Sequence, residues 1–199
     1  MTLLLLSTVL MGILAGRYLM PVLLVPELGA YAMWLLLLVL VGIGVELGAS
    51  SSLLERLKRM QPLNLLLPFT SALGSLLGVA VGAMILGVRI PVGLSIGAGF
   101  GWYSLSSVLL SEVAGTQIAA LAFLTNVVRE LIAIPVIPTL VRLNFGVAAI
   151  TPGGATTMDT TLAIISRVTN EETTLVAFYH GVVLSLLVPV LVTFFARMI

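Results

Sequence analysis

The 199-residue chain contains no cysteine. That excludes disulfide frameworks, thiolate metal sites and cysteine nucleophiles. Charge is the second scarcity: Lys, Arg, Asp and Glu together make up 9% of the residues, where an ordinary soluble domain carries about a quarter. So few charges cannot coat a water-facing surface. The net charge of +1 leaves no basic footprint for nucleic acid. No basic region precedes the opening run MTLLLLSTVLMGILAG, which continues into more apolar chain and reads as a first membrane span, not a cleaved leader.

What is present is apolar. Hydrophobic residues form 60% of the chain and the mean hydropathy is +1.24, so lipid must be its main solvent. The sparse charges punctuate the sequence into seven hydrophobic segments, at 2–16, 28–45, 60–88, 90–111, 113–128, 143–158 and 173–196. Two of these, 90–111 and 143–158, are interrupted by Gly, Pro, Ser and Thr. The expected fold class is therefore an all-α membrane protein, a polytopic bundle of six or seven membrane segments with two interrupted or re-entrant helices. One transmembrane domain covers 1–199. Its parts are two helices in 1–48, a basic loop in 49–61, a third helix in 62–89 and two repeat-like units at 90–141 and 143–198. The loop sequence ERLKR at 55–59 carries three of the nine basic residues and should face the cytoplasm. The N-terminus lies on the same side if the first two segments both cross.

An internal repeat supports the two-unit division. GWYSLSS at 101–107 aligns with GATTMDT at 154–160 in a shared pattern: Gly, two variable positions, hydroxyl, Leu or Met, Ser or Asp, hydroxyl. Further on, Ala122, Phe123, Val127, Val128 and Leu131 correspond to Ala177, Phe178, Val182, Val183 and Leu186. Chance resemblance between apolar segments is the plain alternative. If the repeat is real, paired broken segments mark a transporter's substrate site, because their freed backbone groups cannot face lipid.

The chemically informative residues are those a bilayer excludes: Glu46, Glu112, Arg129, Glu130, Asp159 and His180. An ionised side chain near the centre of a span costs about 2.5–3.5 kcal/mol on insertion scales, so each should face the bundle interior or a partner. In TNVVRELIAIP, Asn126 and Glu130 are four apart and share a helix face. Arg129 lies about 100° round the helix from Glu130 and is expected to reach Glu112 or Asp159, either as a structural brace or within a site. Pro135 and Pro138 should loosen the helix beyond it. Asp159, in TPGGATTMDTT, could bind a cation with help from Thr156, Thr157 and Thr160, or cap a half-helix. Ser104 and the backbone of GFGWYSLSS would help form the same site. Trp102 and Tyr103 would be either interface anchors or an aromatic wall for a cation. His180 is a proton shuttle or a packing residue, and Glu46 and Glu112 are sites or interfacial glutamates. Gly74, Gly78 and Gly82, spaced by four, suggest close helix contact. Neither a metal nor a cofactor is called for.

Four motifs in this order, GFGWYSLSSVLLSE, NVVRELIAIPVIP, GGATTMDTTL and HGVVLSLLVP, resemble the lysine exporter family of inner-membrane proteins. The resemblance runs from about the second segment to the C-terminus. It implies secondary transport of L-lysine, and of toxic lysine analogues, outward across the cytoplasmic membrane. Position by position it covers Gly99, Gly101, Trp102, Tyr103, Ser104, Glu112, Asn126, Arg129, Glu130, Gly154, Ala155, Asp159, His180 and Gly181, and it gives buried acidic residues the central role. Longer members carry about two further N-terminal helices, so a homodimer or a small membrane partner is expected to complete this chain. The competing classes are a transporter or channel for another small cation or amino acid, an intramembrane hydrolase using Ser104, His180 and Asp159, and a membrane scaffold.

Overall fold

The computed structural model describes residues 60–199 and, ahead of them, positions 11–12, 14–18, 31, 34, 38, 41 and 45, all helical. Glu46 and the ERLKR loop lie outside the described residues. The chain divides into two units, Met1–Ser50 and Ser51–Ile199. All the described elements of the second unit are helical. They are α1 (Pro62–Leu86), α2 (Ile90–Gly97), α3 (Tyr103–Val113), α4 (Thr116–Arg142), a 3₁₀ segment (Gly146–Met158), α5 (Leu162–Val168) and α6 (Glu171–Ala196). Among the described residues, α1, α4 and α6 are long and apolar enough to cross a membrane.

Local chemistry sets the ends of these helices. Pro62 opens α1, where a missing N–H costs nothing, and Gly87 closes it at φ 66°, its N–H returning to the Ala83 and Met84 carbonyls. Asn170 caps α6 by accepting the Thr173 N–H at 2.8 Å, and Glu171 and Glu172 follow in the first turn, where the helix dipole favours negative charge.

The fifth apolar segment does not end at residue 128. The helix runs unbroken through Arg129 and Glu130 to Arg142, with Pro135 and Pro138 inside it. Charge was a poor boundary marker here because Glu130 faces inward and is only 6% exposed. The prolines are absorbed without a break, and the Thr139 hydroxyl donates to the Pro135 carbonyl at 2.8 Å.

α1 turns Leu66, Phe69, Leu73, Leu77, Val81 and Met84 to the outside of its unit, a stripe at three- and four-residue spacing suited to lipid contact. The 3₁₀ segment sits at the opposite extreme. Residues 153–157 are buried throughout, and the segment packs most closely against α4 and α6. Gly181 on α6 permits that approach, since a Cβ there would collide with the Met158 N–H and stand 2.8 Å from the Ala155 carbonyl. Gly74, Gly78 and Gly82 make no such contact: a Cβ on any of them would meet nothing within 4 Å among the described residues. The close α1–α2 approach is made from the other side, by Gly93 and Gly97 against Ala83 and Val79.

Candidate functional site

Two interruptions meet at the centre of this unit. The first lies between α2 and α3. There the backbone turns through Phe100 at φ 46° and Gly101 at φ 97°, the left-handed region that costs a bulky side chain about 1–2 kcal/mol. The second lies within and after the 3₁₀ segment, where Gly154 adopts φ 61°, ψ −132°. The two are joined directly, the Ala155 N–H donating to the Phe100 carbonyl at 2.8 Å. A Cβ on Gly154 would collide with that same carbonyl, so only glycine lets the segments touch here.

Broken backbone in a membrane protein must find its hydrogen bonds inside the protein, and side chains of α4 supply several of them. Asn126, 2% exposed, accepts the Gly101 N–H at 2.7 Å. Its amide donates to the Ile96 carbonyl at 3.1 Å and to the Ala122 carbonyl of its own helix at 2.9 Å, with the Ser106 hydroxyl at 3.4 Å. Asn126 therefore acts as a side-chain substitute for the helical ladder that GFGWYSLSS gives up. One turn on, Arg129 does the same for the second break, its Nε donating to the Pro152 carbonyl at 3.3 Å and its Nη1 to the Ser75 hydroxyl at 2.7 Å. The expected reach from Arg129 to Glu112 or Asp159 is not made. Arg129 turns instead to a carbonyl freed by the break and to a hydroxyl on α1.

Glu130, next along α4, faces the other way. It lines a cavity of about 150 Å³ with Asp159, Trp102, Tyr103, Ser104, Thr156, Thr160 and Ser185. Glu130 is buried and Asp159 exposed, so the two acids present a deep and a shallow carboxylate to one space, close enough to interact electrostatically. The Thr160 hydroxyl donates to Asp159 Oδ1 at 3.2 Å, its backbone N–H donates to the same oxygen, and Thr160 also faces Glu130. Asp159 is not the cap of a half-helix: α5 starts after Thr161, whose side chain makes no capping bond. Tyr103 is held against Phe123 in an edge-to-face pair with centroids 5.2 Å apart, which fixes the aromatic wall. Pro189, having no N–H, leaves the Ser185 carbonyl without its usual donor one turn back, at a residue that lines the cavity.

The remaining candidates lie elsewhere. Glu112 is exposed near the end of α3 and lines neither this cavity nor the one beside Arg129. Thr157 and His180 are fully buried and bonded to each other, Oγ1 to Nδ1, at 3.0 Å. The Thr157 hydroxyl also reaches the Gly154 carbonyl at 2.8 Å, which leaves Nε2 as the second ring nitrogen of His180. That nitrogen is buried and unpartnered among the described residues. His180 bonds Thr157 and not Ser104, so the Ser–His contact of a hydrolase is not formed.

The sequence reading included the backbone of Phe100 within GFGWYSLSS but not its positive φ, and it missed Ser75 and Ser185. A positive φ at Phe100 and a hydroxyl facing Arg129 leave no composition signal, whereas the Ser185–Pro189 spacing was visible and carried one.

Apolar helices of spanning length and a polar cavity at the junction of broken segments define the class, a multi-pass helical protein of the cell membrane. The chain belongs to the lysine exporter family, as a family model described as Lysine exporter LysO matches residues 6–196. It is 37% identical over 161 residues to Lysine exporter LysO of Escherichia coli K12. The match covers 81% of this chain and 53% of that protein, so the chain spans about half the relative's length. A Haemophilus influenzae protein provisionally named a lysine exporter is 35% identical over 193 residues, 96% of both chains. No solved structure matches the chain.

Proposed function

We propose that this chain exports L-lysine, or a related cationic amino acid, across the cytoplasmic membrane, with Glu130 and Asp159 answering the ammonium groups. The observation that carries this reading is the convergence of two carboxylates from separate elements, α4 and the end of the 3₁₀ segment, on one cavity walled by Trp102 and Tyr103. An acidic, aromatic, hydroxyl-lined space in a membrane protein favours an organic cation with an apolar stem. The relatives' names agree with that chemistry.

Transport against a gradient needs coupling. A buried carboxylate that takes a proton when the substrate leaves is the simplest device, and the burial of Glu130 supports giving it that role. Proton antiport follows, with substrate and proton competing for the same oxygens. In proteoliposomes, an imposed pH gradient of the correct sign should accelerate lysine flux several-fold and the reversed gradient should slow it. Flux indifferent to the gradient would remove proton coupling from the scheme.

The same reading takes the whole chain as six or seven membrane segments, with the ERLKR loop cytoplasmic, helices in 1–48 and 62–89, and units at 90–141 and 143–198 descending from a repeat. Support for the repeat is the common order of broken segment, short helix and long helix: α2, α3 and α4 in one unit; the 3₁₀ segment, α5 and α6 in the other. A homodimer or a small membrane partner is part of this proposal. A transporter or channel for another small organic cation is the second reading, favoured by the fact that nothing in the cavity selects lysine over its homologues.

A further inference from the structure

The cavity on the far side of Arg129 has a different chemistry from the one lined by Glu130. It measures about 420 Å³ and is bounded by Thr70, Ser71 and Ser75 of α1, Arg129 of α4, and Thr151 and Pro152 of the 3₁₀ segment, together with small and apolar residues. Not one carboxylate is among these. Among the described residues Arg129 is the only charged one in the lining, and it is the middle residue of the 27-residue α4.

A guanidinium keeps its proton in any protein environment. Its hydrogen bonds to the Pro152 carbonyl and the Ser75 hydroxyl satisfy donors without cancelling the charge. Among the described residues no acid pairs with it, although an unneutralised cation at mid-span is costly. The hydroxyls sharpen the point. Ser75 accepts from Arg129, so its own proton is free to be donated into the cavity. Ser71 stands one turn earlier on the same face of α1. The Thr70 and Thr151 protons are already given to backbone carbonyls. The space therefore offers a fixed positive charge with two available O–H donors.

We propose that this cavity is an anion site, taking chloride or a carboxylate against Arg129, Ser71 and Ser75, and distinct from the Glu130 cavity. A charge-assisted fork to a carboxylate is the geometry arginine makes best. The substrate's own α-carboxylate and a free anion share that chemistry. The proposal rests on donor chemistry and stands whether or not the export reading holds.

The test is thermal unfolding of the purified full chain at constant ionic strength, with methanesulfonate as the background anion. Chloride, acetate, L-lysine and cadaverine are titrated in turn. Chloride or acetate should raise the unfolding temperature saturably, as any ligand of the native state does. Glu130→Gln should leave that rise intact, which separates this site from the export cavity. Arg129→Gln should abolish it. Ser71→Ala, which disturbs no described hydrogen bond, should weaken the apparent affinity by roughly tenfold, as expected for one hydrogen bond to a charged partner. If L-lysine acts through Arg129 while cadaverine, chloride and acetate do not, the carboxylate bound is the substrate's own. The proposal is overturned if none of chloride, acetate and lysine gives a saturable shift, or if the shift survives Arg129→Gln. If Arg129→Gln does not fold, Ser71→Ala decides alone, and an unchanged affinity rejects the site.

Discussion

Glu130→Gln is expected to reduce lysine flux in proteoliposomes by about 100-fold or more while leaving the folded, membrane-inserted protein at its normal level. The side chains are nearly isosteric, so packing against α3 and the second break is kept and only the charge is lost. A buried carboxylate facing an ammonium is worth about 2–5 kcal/mol when its partner is removed, and each 1.4 kcal/mol is tenfold in affinity or rate. Glu130 is 6% exposed, so solvent screens it little and the upper part of that range applies. Asp159→Asn should cost less, about tenfold, because Asp159 is the more accessible of the two and its charge is already shared with the Thr160 N–H and hydroxyl. A Glu130→Gln protein with wild-type flux would remove the acidic cavity from the mechanism. A larger loss in Asp159→Asn than in Glu130→Gln would reverse the assigned depths.

Gly154→Ala should be the most destructive single methyl in the described unit. Two independent penalties coincide there. The backbone at φ 61°, ψ −132° lies where an L side chain is strained. The added Cβ would also strike the Phe100 carbonyl and come within 3.1 Å of Arg129 Nη2. Relief would require pulling the two broken segments apart, losing the Ala155 to Phe100 hydrogen bond and the Arg129 contacts together. A destabilisation of about 4 kcal/mol or more follows, at the exceptional end for point changes, and would be seen as loss of monodisperse protein on detergent extraction. Gly101→Ala is the control. Its φ of 97° is also unfavourable, but its Cβ would meet nothing closer than the Gly153 carbonyl at 3.4 Å, Thr156 Cγ2 at 3.5 Å and Arg129 Cδ at 4.0 Å, so a cost of about 1–2 kcal/mol is expected. Equal losses in the two variants would mean that the crossing of the segments is not the constrained point.

The contrast between Arg129 and Glu130 shows how far such a site can be read from residue order. The 100° angle between neighbours on a helix already placed them on different faces. The composition of GFGWYSLSS and GGATTMDT, anomalous for apolar chain, marked both breaks. What the order of residues could not supply was the partner of Arg129. Charge complementarity pointed to Glu112 or Asp159, but the bonds made are to the Pro152 carbonyl and to Ser75. A backbone acceptor has no residue signature, and a serine among many on an apolar helix carries too little. Asn126 illustrates the same gap, since a polar residue in mid-span reads as a site residue until three of its four bonds are seen to close the first break. Glu130 and Asp159 were legible because a bilayer tolerates few carboxylates, and their shared cavity follows from the contact between the breaks.

The central claim is that the space between Glu130 and Asp159 receives a cationic amino acid. Counterflow in proteoliposomes, with labelled L-lysine outside and unlabelled competitors inside and out, tests it most directly. The account predicts saturable counterflow, strong competition by arginine and ornithine, weak competition by neutral amino acids, and loss of the signal in Glu130→Gln. Counterflow with no competition by any cationic amino acid would contradict it.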